Sequence, residues 1–384
     1  MIARAHSLLF ALALVAPLTA CGKKQDAPPA EASGSAGSAG SAGSAGSAGS
    51  AGSAALDAAA PPADAAPAAP TGPRGRTGPG NNPALVELAV ANEACTIDPY
   101  YPTNSCSKQV AAFEAAFDPA KDLPTVLNLL EDANPQVRYI ATRTLADRMI
   151  MQTSPGHAAA ARVLAAAAVE TEPANATMLG QALLQGDFKD ATFADAVAGF
   201  FDHHPLPAMR AAIASNLAVQ DEAKWLPIMI KRFAAETDKD VKLGIISGMY
   251  MASDAATVCP FLLDTMKDGD NEIAGLAAYG IVWSNGKCKD SYDAFLTAYA
   301  ARLTTTKPDY QYVLKVYYMA KAPGATDAQK KAFVEASKAI VADTTLSGMA
   351  RAKMLETIGD KAYAKGFLAD PDSMVVEAAK RLQK

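Results

Sequence analysis

Three stretches of this chain repeat one template, and the constancy of that register restricts the fold more than any other feature. Leu123-Pro124 opens an apolar run to Glu131 that is followed by Asn134-Pro135 and Val137-Arg138. Leu226-Pro227 opens a run to Phe233 followed by Lys239-Asp240-Val241-Lys242. Cys259-Pro260 opens a run to Met266 followed by Asp270-Asn271 and Ile273. The distance from the proline to the next apolar anchor is 13, 14 and 13 residues. Apolar residues recur at helical spacing throughout, without sustained alternation of period two, so the template predicts a helix, a polar turn and a second helix, repeated along an all-α chain.

The parts of the template have physical roles. Proline is tolerated in the first turn of a helix, where its missing N–H has no partner to lose, so the prolines are expected to start the first helices. Asp, Asn and Gly in the turn then cap the second helix through short oxygen-bearing side chains. Its apolar stripe pairs each anchor with a residue eight further on: Val137 with Leu145, Met209 with Leu217, Val241 with Met249, Ile273 with Ile281. Weaker copies of the second helix run from Met178 to Leu184, Tyr310 to Met319, Met349 to Ile358 and Met374 to Leu382. The anchors at 209, 241 and 273 are 32 apart, and elsewhere the spacing stretches to about 38, which predicts an irregular solenoid.

The run Asp132 to Arg138, followed by Ala141 and Leu145, resembles the second-helix signature of HEAT repeats. The tetratricopeptide solenoid has a similar period, but its Trp, Leu-Gly and Tyr positions do not fall in one register here. The resemblance implies an α-solenoid of stacked antiparallel helix pairs, HEAT/armadillo-like, over residues 123–384, behind a helical cap at 84–122. It also implies a concave face lined by second helices, commonly a protein-binding surface, and a polar ladder between neighbouring repeats. Asp132 with Arg138 and Glu236 with Lys242 match that ladder. His204 with Arg210 and Asp268 with Ala274 depart from it, so an interrupted ladder is expected.

The N-terminal part reads differently. Residues 1–20 carry Arg4 and an apolar stretch from Leu8 to Ala20 that is too short to span about 30 Å of hydrocarbon. Leu18-Thr19-Ala20-Cys21 is similar to the lipobox of bacterial lipoproteins, which implies export, acylation of Cys21 and a membrane held through the lipid; an ordinary signal peptide with a chance cysteine is the alternative. Gly22 stands where that family has Asp as an inner-membrane signal, which favours the outer membrane. Residues 21–83 are almost without large apolar side chains and repeat Ser-Ala-Gly between Gly34 and Gly52. Such a segment cannot offset its ordering entropy and is expected to be a disordered tether, averaging about 40 Å for roughly 60 residues. It is not collagen, because the repeat contains no proline. Arg74 and Arg76 near its end are expected to be solvated linker charges.

With Cys21 set apart, Cys95, Cys106, Cys259 and Cys288 form an even set in an exported chain, where disulfides persist. Cys259 in the first turn of one helix and Cys288 after the next would meet at one edge of an antiparallel pair. Cys95 and Cys106 bracket the turn-rich Asp98-Pro99-Tyr100-Tyr101-Pro102 and would pin the cap. Zinc is the rival reading, but the ligand spacings are wrong for it.

Chemistry is sparse. Net charge is -5, from 35 basic and 40 acidic residues, without the basic stripe that nucleic acid requires. His203 and His204 have only Asp202 as a near carboxylate neighbour and read as cap or surface residues, like His157. No serine elbow, phosphate loop or metalloprotease motif is present, so no catalytic residue, metal or cofactor is expected. Asn175-Ala176-Thr177 fits a glycosylation sequon that is incidental in a bacterium. Tyr310, Tyr312, Tyr317 and Tyr318, with Tyr279 and Trp283 one repeat earlier, form an aromatic cluster expected to pack mainly in the core, with a binding hot spot as the alternative. On the helix after Pro308, Tyr310, Leu314 and Tyr317 are expected to face the core, and Gln311, Lys315 and Tyr318 to face solvent as candidate partner contacts. The expected function is a non-catalytic envelope scaffold, a monomeric domain that binds an envelope protein. The alternatives are a lyase-like or glycosylase-like HEAT enzyme, and a structural spacer.

Overall fold

The computed structural model describes residues 75–96, 106–283 and 286–384. The expectations for Cys21, for the segment 1–20, for the tether as far as residue 74 and for the loop from Asp98 to Pro102 lie outside the described residues.

Two helices come first, α1 (Pro83–Val90) and α2 (Ser107–Ala116), and a disulfide joins Cys95 to Cys106 between them. Helix pairs follow in succession. They are α3 (Pro119–Leu129) with α4 (Pro135–Asp147) and, after a short α5 (Ser154–Ala158), α6 (Ala160–Val169) with α7 (Pro173–Leu183). Next come α8 (Ala191–His203) with α9 (Pro207–Leu217), α10 (Glu222–Ala235) with α11 (Lys239–Met251), and α12 (Ala255–Thr265) with α13 (Asn271–Trp283). The last are α14 (Tyr292–Thr305) with α15 (Tyr310–Val316), α16 (Asp327–Ala342) with α17 (Gly348–Ile358), and α18 (Lys361–Ala364) with α19 (Ser373–Gln383). No strand occurs among the described residues, and the fold is an all-α solenoid.

The second helices form one continuous stack, each packed on the next from α4 through α7, α9, α11, α13, α15 and α17 to α19. The first helices approach one another more loosely. The side on which the second helices stack is the inner face of the array. All eight residues of the four anchor stripes, from Val137 and Leu145 to Ile273 and Ile281, are buried. In the second pair the anchor position holds Asn175, fully buried, whose amide donates to the Pro135 carbonyl and the Glu170 carboxylate. The sequon asparagine is therefore a core residue. Glycine permits close backbone contact between α9 and α11: a Cβ at Gly248 would lie 2.2 Å from the Ala214 carbonyl oxygen, and one at Gly244 2.5 Å from that of Ala211.

Four expectations need correction. Pro124, Pro227 and Pro260 do not start their helices but stand sixth in α3, α10 and α12. The starts are set by Asp118, Asp221 and Asp254, whose carboxylates accept N–H groups of the first turn. Cys259 consequently sits one turn deeper in α12 than expected, and it still reaches Cys288, with a Cα–Cα distance of 5.6 Å. The tether does not run to Pro83, because Gly75 to Asn82 are docked on the first pair, with the Asn128 amide donating to the Pro79 carbonyl and Asn81. Arg76 is not a solvated charge: it pairs with Asp132 and with Glu93. Finally, α15 is a short helix that tightens into a 3₁₀ turn at Tyr317, so its core face is Tyr312, Val313 and Val316, while Tyr310, Leu314 and Tyr317 are only part-buried.

The Cys259–Cys288 bridge closes a span of 29 residues within one repeat. Replacing both cysteines by serine is expected to destabilise the domain by about 3 kcal/mol in the chain-entropy picture. Urea unfolding followed by circular dichroism, with and without reductant, checks this: reductant should shift the parent midpoint further than that of the double variant, which keeps only the Cys95–Cys106 bridge.

Candidate functional site

The stack carries two features built from polar and aromatic side chains. The first is a line of polar rungs. Five residues before the anchor of six of the eight second helices, α15 and α17 excepted, stands a group that accepts the N–H two residues further on: Asp132 from Asn134, Glu170 from Glu172, Glu236 from Asp238, Asp268 from Asp270 and Asp370 from Asp372. His204 does the same through Nδ1, which accepts the Leu206 N–H at 3.2 Å, leaving Nε2 to donate to the Ala167 carbonyl at 3.0 Å. A neutral imidazole thus replaces a carboxylate there, and the expected interruption at His204 is not found.

The rungs join an arginine of one repeat to the acid of the next. Arg138 donates two bonds to Glu170, at 2.9 and 2.8 Å, and a third to the Asp132 carbonyl. Arg210 spans from the His204 carbonyl to Glu236, at 3.6 Å from its carboxylate. Asp132 and Arg138 therefore belong to adjacent rungs, since the Asp132 carboxylate takes Arg76. Lys242 makes no rung, and its ammonium lies 5.3 Å from the Phe233 ring centre. Burial acts to raise the Glu170 carboxyl, but Arg138 and the N–H groups of Glu172 and Thr171 outweigh it and hold it below the ordinary carboxylate range. Glu170 and the Arg351–Asp370 rung went unread in the sequence. Glu170 stands three residues before Pro173 as Asp132 stands before Pro135, which is the signal that finds it.

The second feature lies on the inner face from α11 to α17. Tyr279 of α13 is at its centre, with Tyr250 of α11 edge-on at 5.9 Å, Trp283 stacked at 5.5 Å and Tyr318 edge-on at 5.2 Å. Tyr317 closes the row, 4.1 Å from Tyr318. Trp283 is 41% exposed, whereas the other tryptophan, Trp225, is buried. The Lys315 ammonium lies 5.4 Å from the Tyr279 ring centre, and that of Lys353 4.0 Å from the Tyr317 ring centre. Of the candidate contacts, Gln311 is exposed, while Lys315 and Tyr318 are part-buried within this row. Burial lowers the Lys315 ammonium, with Glu272 pulling the other way. Burial also raises the Tyr279 phenol, whose hydroxyl has no hydrogen-bond partner among the described residues.

Arranged this way, the face offers π surface, hydroxyls and two cations, and no nucleophile paired with a base. Among the described residues no three His, Cys, Asp or Glu side chains are grouped to hold a metal, and no helix is long and apolar enough to cross a membrane.

A HEAT repeat family model matches residues 123–147, which span most of α3 and all of α4. No curated protein matches the chain. The matched helices are the ones whose carboxylate, Asp132, begins the line of rungs, so the chain carries a HEAT-like helical repeat domain.

Proposed function

We propose that this protein is a non-catalytic scaffold of the bacterial cell envelope, anchored through an acylated Cys21 in the outer membrane, whose monomeric solenoid binds a protein partner on the face formed by its second helices. The observation that carries this reading is the aromatic row on that face, five rings in mutual contact with the Trp283 ring left 41% exposed at its edge. Tyr and Trp supply large contact area at low entropic cost and are enriched where partners bind. The lipid contributes about 0.8 kcal/mol per buried methylene, enough with several chains for stable anchoring.

The test uses the full lipidated chain carrying a photo-crosslinking residue either at Trp283, on the inner face, or at Lys231, exposed on α10. Defined adducts with envelope proteins are expected from position 283 only, and they should be lost together with membrane fractionation in Cys21→Ser. Equal labelling from both positions, or a Cys21→Ser protein that stays in the membrane fraction, would sink the corresponding half of the proposal.

A further inference from the structure

The aromatic row has a chemistry that narrows its occupant. Rings facing one another in this way ordinarily attract cations. Here the protein's own lysines hold those places, with Lys315 against Tyr279 and Lys353 against Tyr317. A cationic ligand would have to displace them against like charge. An anion meets the opposite situation. The nearby Lys239 reaches both Asp270 and Glu272, at 3.1 and 2.8 Å, but neither Lys315 nor Lys353 forms an ion pair among the described residues. Lys315 is half withdrawn from water without a carboxylate in contact, which is a costly arrangement that an incoming carboxylate relieves.

Two further observations bear on what accompanies the charge. The Tyr279 side chain is more than nine-tenths buried at the centre of the row, and its hydroxyl lacks a partner among the described residues. That hydroxyl is closed to solvent, so the ring edges and the lysines, and not this donor, meet an occupant. The exposed Trp283 ring stacks on Tyr279 and leaves an apolar surface beside the lysines, the kind of aromatic-lined groove in which an extended, proline-bearing chain docks with little entropy to lose. The row crosses the stack from α11 to α17, so its long direction suits a strand of chain better than a compact small molecule.

We infer that this row is the binding site for an extended acidic segment of a partner protein, in which a carboxylate side chain neighbours a proline or other apolar residue. Carboxylates of the segment contact Lys315 and Lys353, and the proline lies on Trp283. This rests on the scaffold reading above and adds the chemistry of the partner to it.

The probes are three synthetic peptides of equal length, repeating Glu-Pro-Leu, Lys-Pro-Leu or Glu-Gly-Ser, and a neutral chitin oligosaccharide, each titrated into the full chain and followed by Trp283 fluorescence and by anisotropy of the labelled probe. The Glu-Pro-Leu peptide is expected to bind at least tenfold more tightly than the others. Lys315→Met with Lys353→Met, and separately Trp283→Ala, should each weaken it by about tenfold or more, equivalent to about 1.4 kcal/mol. Circular dichroism of both variants should match the parent, because the changed groups reach solvent. Equal binding of the Lys-Pro-Leu peptide, preferential binding of the oligosaccharide, or Glu-Pro-Leu binding unchanged in either variant would overturn the inference. If no peptide binds while position 283 still crosslinks to an envelope protein, the peptide chemistry is wrong and the scaffold reading stands.

Discussion

Gly248→Leu is expected to cost the domain more than about 3 kcal/mol and to part the stack between α9 and α11. Even the first carbon of a side chain at this position would fall 2.2 Å from the Ala214 carbonyl oxygen and 2.7 Å from the Met229 methyl. The methionine tip can move, but the carbonyl belongs to the backbone of α9, so the helices themselves must separate. In a solenoid each interface couples only nearest neighbours, so the damage should show as loss of cooperativity as well as of stability. Urea unfolding should resolve two transitions in place of a steeper one. Gly199→Ala is the control, since a Cβ there meets nothing within 4 Å inside α8 and should gain up to about 1 kcal/mol from helix propensity. A Gly248→Leu protein that unfolds like the parent would show that the helices do not pack this closely.

The second large effect is expected at the last rung. Arg351 and Asp370 have side chains only 2% and 6% exposed and meet through two bonds, at 3.0 and 2.5 Å, while Arg351 also donates to the Val341 carbonyl. Arg351→Ala strands a buried carboxylate and is expected to destabilise by about 3 to 5 kcal/mol, whereas Arg351→Met with Asp370→Leu should recover much of that loss. The pH dependence has a defined sign. The Arg351 guanidinium holds the Asp370 carboxyl below its ordinary value, with burial opposing it. A carboxyl depressed in the folded state contributes stability that is fully present above its unfolded pKa, about 3.9, and is lost as pH falls through the lower folded value. The stability gap between the parent and Arg351→Ala should therefore be constant near neutrality and narrow below about pH 4. A gap that widens on acidification would contradict this account of the rung.

Much of the architecture was legible because the second helices keep a strict apolar stripe, and burial of Val137, Leu145, Met209 and their counterparts follows from period alone. The first helices were misplaced at their starts because proline is a louder signal than aspartate. Asp118, Asp221 and Asp254 each stand six residues before a template proline, a second register equally visible in the chain but weighed less. The rungs at Glu170, His204 and Asp370 were hard to read for a different reason. The position requires an acceptor for a nearby N–H rather than a particular side chain, so Asp, Glu and neutral His satisfy it equally and no single residue type marks it. Within the candidate site, helical spacing put Gln311, Lys315 and Tyr318 on one solvent face, but α15 ends at Val316 and tightens at Tyr317, so of the three only Gln311 is exposed. Tyr279 and Trp283 were legible as neighbours of the Tyr317–Tyr318 cluster from the repeat period, whereas Tyr250 joins them only through stacking of α11 on α13, which spacing within one helix does not express.

The docking of Gly75 to Asn82 has a mechanical consequence. A pull arriving along the chain at Gly75 meets Arg76 on Asp132, Asn81 on Asn128, and Asn82 on Thr125 and Asp122 before it reaches any apolar interface. Their partners Asp122, Thr125 and Asn128 recur at three-residue spacing along α3, so several bonds tie this segment to one helix. Forced opening is governed by the rate at which such a seam ruptures and not by its equilibrium strength. The seam thus acts as a cable clamp, keeping a tug on the line from becoming a torque on the helices behind it.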